Sequence, residues 1–152
     1  MRTVSIIGYG RFGKTLHRLL GEDFKINIFH REQKDIAEIY RSDIIFYCVP
    51  ISAFAAVIKK HRSYIQKYNV LIDVLSVKAY PKQVFDSLIK YEKQNILLTH
   101  PMFGPDSSKH GFEGLPIMVD QYRVPDEEYL FWKTYFSQKG LRVIEMKAAE
   151  HD

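Results

Sequence analysis

The chain has 152 residues, enough to bury a core and too few for two full domains. Apolar residues make up 46% and charged residues 26%, which excludes a disordered chain, and the net charge of +4 is scattered rather than drawn into the basic stripe of a nucleic-acid binder. No apolar run approaches the roughly 18 residues of a membrane span, no signal peptide precedes the first strand, and the lone Cys48 has neither a disulfide partner nor metal-ligand spacing around it. A cytoplasmic protein without metal, membrane or nucleic-acid partners is expected.

The first element is a strand over Thr3-Val4-Ser5-Ile6-Ile7. It runs into Gly8-Tyr9-Gly10-Arg11-Phe12-Gly13, a G-x-G-x-x-G pattern, and then a helix whose Phe12, Leu16, Leu19 and Leu20 form one apolar stripe. Further strands are predicted at 25–29, 43–48, 69–74 and 95–99, short β-branched runs of the kind covered on both faces. Between them, Ser52 is the expected N-cap of a helix carrying Phe54, Val57 and Ile58, and Pro81 falls in the first turn of one carrying Val84, Phe85, Leu88 and Ile89. Residues 101–115 form a Pro/Gly-rich loop, followed by a short strand at Pro116–Val119, a helix at Pro125–Gln138 and a strand at Leu141–Glu145. Tyr129, Trp132 and Phe136 share one helical face, which suits core packing. The closing Ala148-Ala149-Glu150-His151-Asp152 resembles the start of a charged helix, so a longer parent chain is expected.

Alternating strands and helices at this spacing predict an α/β fold over residues 1–152: a Rossmann-type, doubly wound, mainly parallel sheet with helices on both faces. In that setting the glycine motif has a mechanism. Gly8 permits a tight turn, Gly10 lets a pyrophosphate approach the backbone, and Gly13 lets the helix pack against the strand. Tyr9, Arg11 and Phe12 belong to the same phosphate-facing turn at the helix N-terminus. The second strand ends at His30-Arg31, where an NAD site would place a carboxylate for the ribose hydroxyls. A guanidinium suits a 2′-phosphate, so NADP is expected, with NAD as the alternative through neighbouring Glu32. Cys48, Val49 and Pro50 end the third strand and are expected against the cofactor. Ser76 and His100 follow the fourth and fifth strands, where they can converge on one small substrate.

Asp73-Val74-Leu75-Ser76-Val77-Lys78, Thr99-His100-Pro101-Met102-Phe103-Gly104-Pro105, Lys109-His110 and Gly114-Leu115-Pro116 together resemble the prephenate/arogenate dehydrogenase family, and the plant-type arogenate dehydrogenases most of all. Glu145-Met146 and the closing Ala149-Glu150-His151-Asp152 extend the resemblance to the whole chain. It implies NAD(P)-dependent oxidative decarboxylation of arogenate or prephenate in tyrosine biosynthesis. It implies a histidine at His100 that deprotonates the ring hydroxyl and a serine at Ser76 that holds it. Asp106 would meet a substrate ammonium or make an Asx-turn, Lys109 would reach a substrate carboxylate or be solvated, and Lys78 would cap a helix or be solvated. The family carries a further helical domain that makes a homodimer, and its counterpart is expected to be absent from these 152 residues. The competing expectations are a free-standing NADP(H)-binding module without catalysis and another reductase of a small acid or imine.

Overall fold

A computed structural model describes residues 1–89 and 91–152. Among the described residues seven strands form one sheet: β1 (Thr3–Ile7), β2 (Lys25–Phe29), β3 (Ile44–Tyr47), β4 (Val70–Asp73), β5 (Asn95–Pro101), β6 (Pro116–Arg123) and β7 (Arg142–Glu145), in the order β2-β1-β3-β4-β5-β6-β7. The strands from β2 to β5 are parallel, β6 runs antiparallel to β5, and β7 is parallel to β6. The helices are α1 (Arg11–Leu20), α2 (Ile36–Ile39), α3 (Ile51–His61), α4 (Ala79–Leu88), α5 (Asp126–Gln138) and α6 (Ala148–His151).

Continuous apolar strands require cover on both sides, and β3 shows how it is met. Ile44 and Phe46 pack with Leu16 and Leu19 of α1 and Trp132 of α5, while Ile45 and Tyr47 pack with Phe54 of α3 and Phe85 of α4. All four β3 residues are buried. The predicted stripe Tyr129, Trp132 and Phe136 is buried as expected, and Asp126, Glu127 and Glu128 favour the α5 N-terminus, where the helix dipole is positive.

Several boundaries differ from the sequence reading, each for a physical reason. Pro50, not Ser52, is the N-cap residue of α3, and no side chain caps that helix. Pro50 is already extended (φ −60°, ψ 152°), and Ala53 N–H reaches its carbonyl at 2.9 Å, so the helix starts without a hydroxyl. The 95–99 strand continues through His100 and Pro101, which pair with Met118 and Ile117 of β6. The predicted 116–119 strand continues to Arg123 across a register shift, through Asp120-Gln121-Tyr122-Arg123, which carries no apolar alternation. Tyr122 there has φ 27°, and its N–H donates to Asp120 Oδ1 at 2.9 Å, so a local side-chain bond holds the irregular turn. The short helix α2 carries only two buried residues, Ile36 and Ile39, too few for a periodic signal.

Candidate active site

Strand order reverses at β1: the chain moves outward to β2, then returns to lay β3 on the other side. The connections leaving β1 and β3 therefore diverge and open a crevice at the carboxyl edge of the sheet, the place where ligands sit in such folds. A cavity of about 740 Å³ occupies it. Its walls are the glycine turn from Gly8 to Gly13, His30, Arg31 and Glu32 after β2, Cys48 to Ile51 after β3, and Val74, Leu75 and Ser76 after β4. All eleven residues expected to hold the cofactor line this one space.

The three glycines play distinct parts. Gly8 has φ +93°, and a Cβ there would lie 2.3 Å from the Cys48 carbonyl oxygen. Its N–H donates to Phe29 O at 2.7 Å, which ties the turn to the end of β2. A Cβ on Gly13 would lie 2.3 Å from the Gly8 carbonyl oxygen, so α1 can approach the turn only with glycine at that position. A Cβ on Gly10 would meet no atom within 4 Å. Nothing in the protein requires a glycine at Gly10, yet it faces the cavity at the N-terminus of α1. Open space over free backbone N–H groups at a helix N-terminus fits a pyrophosphate.

His30, Arg31 and Glu32 are exposed. Gln33 N–H donates to His30 O at 3.0 Å, so Arg31 and Glu32 occupy the two corners of a turn on the cavity wall. A guanidinium and a carboxylate therefore both reach the rim. Cys48 is partly exposed on the wall. Desolvation pushes its thiol well up, so it stays protonated at neutral pH.

Beyond the cavity the sheet presents Ser76 and His100 from neighbouring parallel strands. Asp73 pairs with Leu98, so Ser76, three residues past Asp73, and His100, two past Leu98, overhang the same edge one strand apart. Ser76 lines the cavity and is exposed; His100 is half-buried on β5 and is not a lining residue. A buried cross-link fixes the two strand ends. Asp73 accepts from the Leu75 and Thr99 N–H groups, each at 3.2 Å, and from Lys78 Nζ, which also donates to the Thr99 carbonyl. Thr99 Oγ1 donates to the Asp73 carbonyl at 2.6 Å. Lys78 corrects the sequence reading: its side chain neither caps α4 nor meets solvent, but is fully buried against an equally buried Asp73. Burial pushes the Asp73 carboxyl up and the Lys78 amine down, and each charge is held by the other.

Burial also holds the His100 imidazole below its ordinary value of 6.5, with His151 and Lys78 acting in the same direction and Asp152 opposing them. His100 is therefore neutral at pH 7 and able to accept a proton. Its Nδ1 lies 2.7 Å from His151 Nε2.

The remaining two candidates lie elsewhere. Asp106 is exposed and pairs with Arg11 at 3.2 Å; Lys109 is exposed; neither lines the cavity. Their loop folds over α1 through Arg18, which donates to Ser108 O at 3.0 Å and stacks over Phe112 at 5.0 Å. Among the described residues no group of three or more His, Cys, Asp or Glu is placed to hold a metal, and no helix is long and apolar enough to cross a membrane.

The family model described as "Prephenate dehydrogenase, nucleotide-binding domain" matches residues 2–129. The chain is 30% identical to arogenate dehydrogenase 2, chloroplastic, of Arabidopsis thaliana, over 98% of this chain and 48% of that protein. The chain thus spans about half the length of that curated relative, and less of others. Two solved structures share the fold at 18% identity: prephenate dehydrogenase from A. aeolicus in complex with hydroxyphenyl propionate and NAD+ (TM-score 0.78, covering 99% of this chain and 62% of that one) and Synechocystis arogenate dehydrogenase (TM-score 0.79, 98% and 61%).

Proposed function

The chain belongs to the family of prephenate dehydrogenase nucleotide-binding domains, and from that premise we propose that it is the dinucleotide-holding part of an NAD(P)-dependent dehydrogenase of arogenate or prephenate. The observation that carries this reading is the cavity at the strand-order reversal, left open over Gly10 and continuous with Ser76 beside the His100 strand.

In this reading Gly8 to Gly13 cradle the pyrophosphate, while Cys48, Val49 and Pro50 flank the cofactor. When bound, the nicotinamide supplies the hydride acceptor for the oxidation. The chain's own residues do the rest. Ser76 positions the substrate hydroxyl, and neutral His100 takes its proton as the ring is oxidised. Because the neutral imidazole is the active form, turnover falls as pH drops through a value below 6.5. Asp106 and Lys109, on the loop folded over α1 and outside the cavity lining, are the residues proposed for a substrate ammonium and carboxylate, with Arg11 competing for Asp106. As a part of a longer enzyme, the domain would dimerise through the helical segment that its relatives carry.

NADP is the proposed cofactor, because Arg31 at a turn corner can pair with a 2′-phosphate. Titration of the chain with each reduced cofactor tests this. NADPH is expected to bind about tenfold more tightly than NADH, and Arg31→Ala to remove most of that gap. Equal affinities in the unaltered chain would overturn the NADP assignment, and no binding of either would overturn the nucleotide site. In a longer protein carrying this domain, His100→Ala is expected to lower arogenate- or prephenate-dependent cofactor reduction by about 100-fold or more while leaving cofactor affinity unchanged.

A further inference from the structure

The last two residues of the chain reach the imidazole proposed as the base. His151 ends the short helix α6 and Asp152 follows it, and their side chains contact the end of β5 and the start of α4. His151 Nε2 is 2.7 Å from His100 Nδ1, and the two rings meet edge to face with centroids 4.9 Å apart. On its far side, His151 Nδ1 is 2.8 Å from Asp152 Oδ1. The Asp152 carboxylate is itself anchored, accepting the Lys78 N–H at 2.8 Å and the Ala79 N–H at 2.7 Å. These are orphan donors at the α4 N-terminus, which has no side-chain cap of its own.

Hydrogen-bond polarity propagates along this chain. Asp152 can only accept, so His151 Nδ1 carries a proton. In neutral His151, Nε2 is then an acceptor, and His100 Nδ1 must donate to it. We propose that His151 and Asp152 are positioning residues for His100: the sequence Asp152 carboxylate, His151, His100 fixes the His100 ring as its Nδ1–H tautomer and leaves Nε2 as the nitrogen that takes a substrate proton. The inference deepens the proposed function and rests on it for the identity of that proton.

The groups facing His100 explain why such a chain is useful. From the β4–α4 connection comes the buried Lys78 ammonium, paired with Asp73 and also acted on by Asp120 of β6; from the end of the chain come His151 and Asp152. A cation on His100 is opposed by Lys78. When a hydroxyl proton passes to Nε2, the O–H bonding pair stays on oxygen and His100 gains one positive charge. Transfer of the Nδ1 proton to His151 Nε2 then leaves His100 neutral and sets the imidazolium against Asp152. No atom is gained or lost beyond that one proton.

A long-range 1H–15N correlation spectrum of the full chain at about pH 8 reads the tautomer of each histidine directly. His100 is expected as Nδ1–H in the unaltered protein. His151→Phe keeps a ring in place and removes the acceptor, so His100 should revert to the Nε2–H form that a free imidazole favours. His151→Gln places a carbonyl oxygen close to the lost nitrogen and should restore Nδ1–H. A wild-type His100 protonated at Nε2, or a tautomer unmoved by His151→Phe, overturns the proposal, and the wild-type spectrum decides alone if that variant fails to fold. Where turnover is measured, kcat should fall about 100-fold in His151→Phe and about tenfold in His151→Gln, with KM nearly constant. The spectrum needs no substrate. Absence of turnover in the unaltered protein would therefore count against the proposed function, and a wrong tautomer against the positioning chain.

Discussion

Alanine at Gly8, Gly10 and Gly13 should separate folding from ligand binding. At Gly8 a Cβ meets the Cys48 carbonyl with φ at +93°, and at Gly13 it meets the Gly8 carbonyl; both obstacles are backbone and cannot swing aside. Each of these substitutions is expected to destabilise the fold by about 2–4 kcal/mol in urea unfolding. Gly10→Ala has φ −79° and open space, so its stability should change by less than about 1 kcal/mol while NADPH affinity drops about tenfold or more. The glycine motif is legible because Gly8 and Gly13 answer steric demands that no other residue meets. Arg31 carries a charge that would suit a 2′-phosphate, and the structure adds only its place on the cavity wall. Lys78 was not legible. Nothing in Ser76-Val77-Lys78 distinguishes a buried ammonium from a solvated one, because its partner Asp73 and the Thr99 carbonyl come from two different strands. The His100–His151 contact was hidden for the same reason, since it joins residues 51 apart.

Helix α3 closes on the basic residues Lys59, Lys60 and His61, with Arg62 next in the chain. The structure buries His61 completely, with Nδ1 2.8 Å from Tyr40 Oη, which in turn lies 2.9 Å from Tyr47 Oη. Its Nε2 has no partner, so an added proton there would be a buried, unpaired donor. Burial, followed by the nearby Lys60 charge, lowers His61 to about 4 from 6.5. The unfolded chain therefore takes up this proton first as the medium is acidified. The contribution is full above about pH 6.5 and is lost as pH falls toward about 4. Urea unfolding should show about 2 kcal/mol less stability from this group at pH 5 than at pH 7.5, and His61→Phe should flatten that part of the slope. Element types were otherwise readable wherever periodicity ran long enough. The failures cluster where it did not: in α2 with its two buried isoleucines, and in the second half of β6, where pairing with β5 overrides a polar sequence.

At the scale of the whole molecule, alternation in the sequence was enough to foresee a doubly wound sheet, and the placement of the cavity follows from it. Strand order itself was not readable, nor was the antiparallel insertion of β6, because register is settled by contacts between distant segments. That topology divides the candidate site unevenly along the chain. Every wall of the cavity is supplied by residues 8–76, whereas the imidazole at position 100 is oriented by residues 151 and 152. A polypeptide emerging from the ribosome thus makes the pocket's lining early and the support of its proposed base later. A nascent domain could clasp a nucleotide well before it had any means of aiming the chemistry.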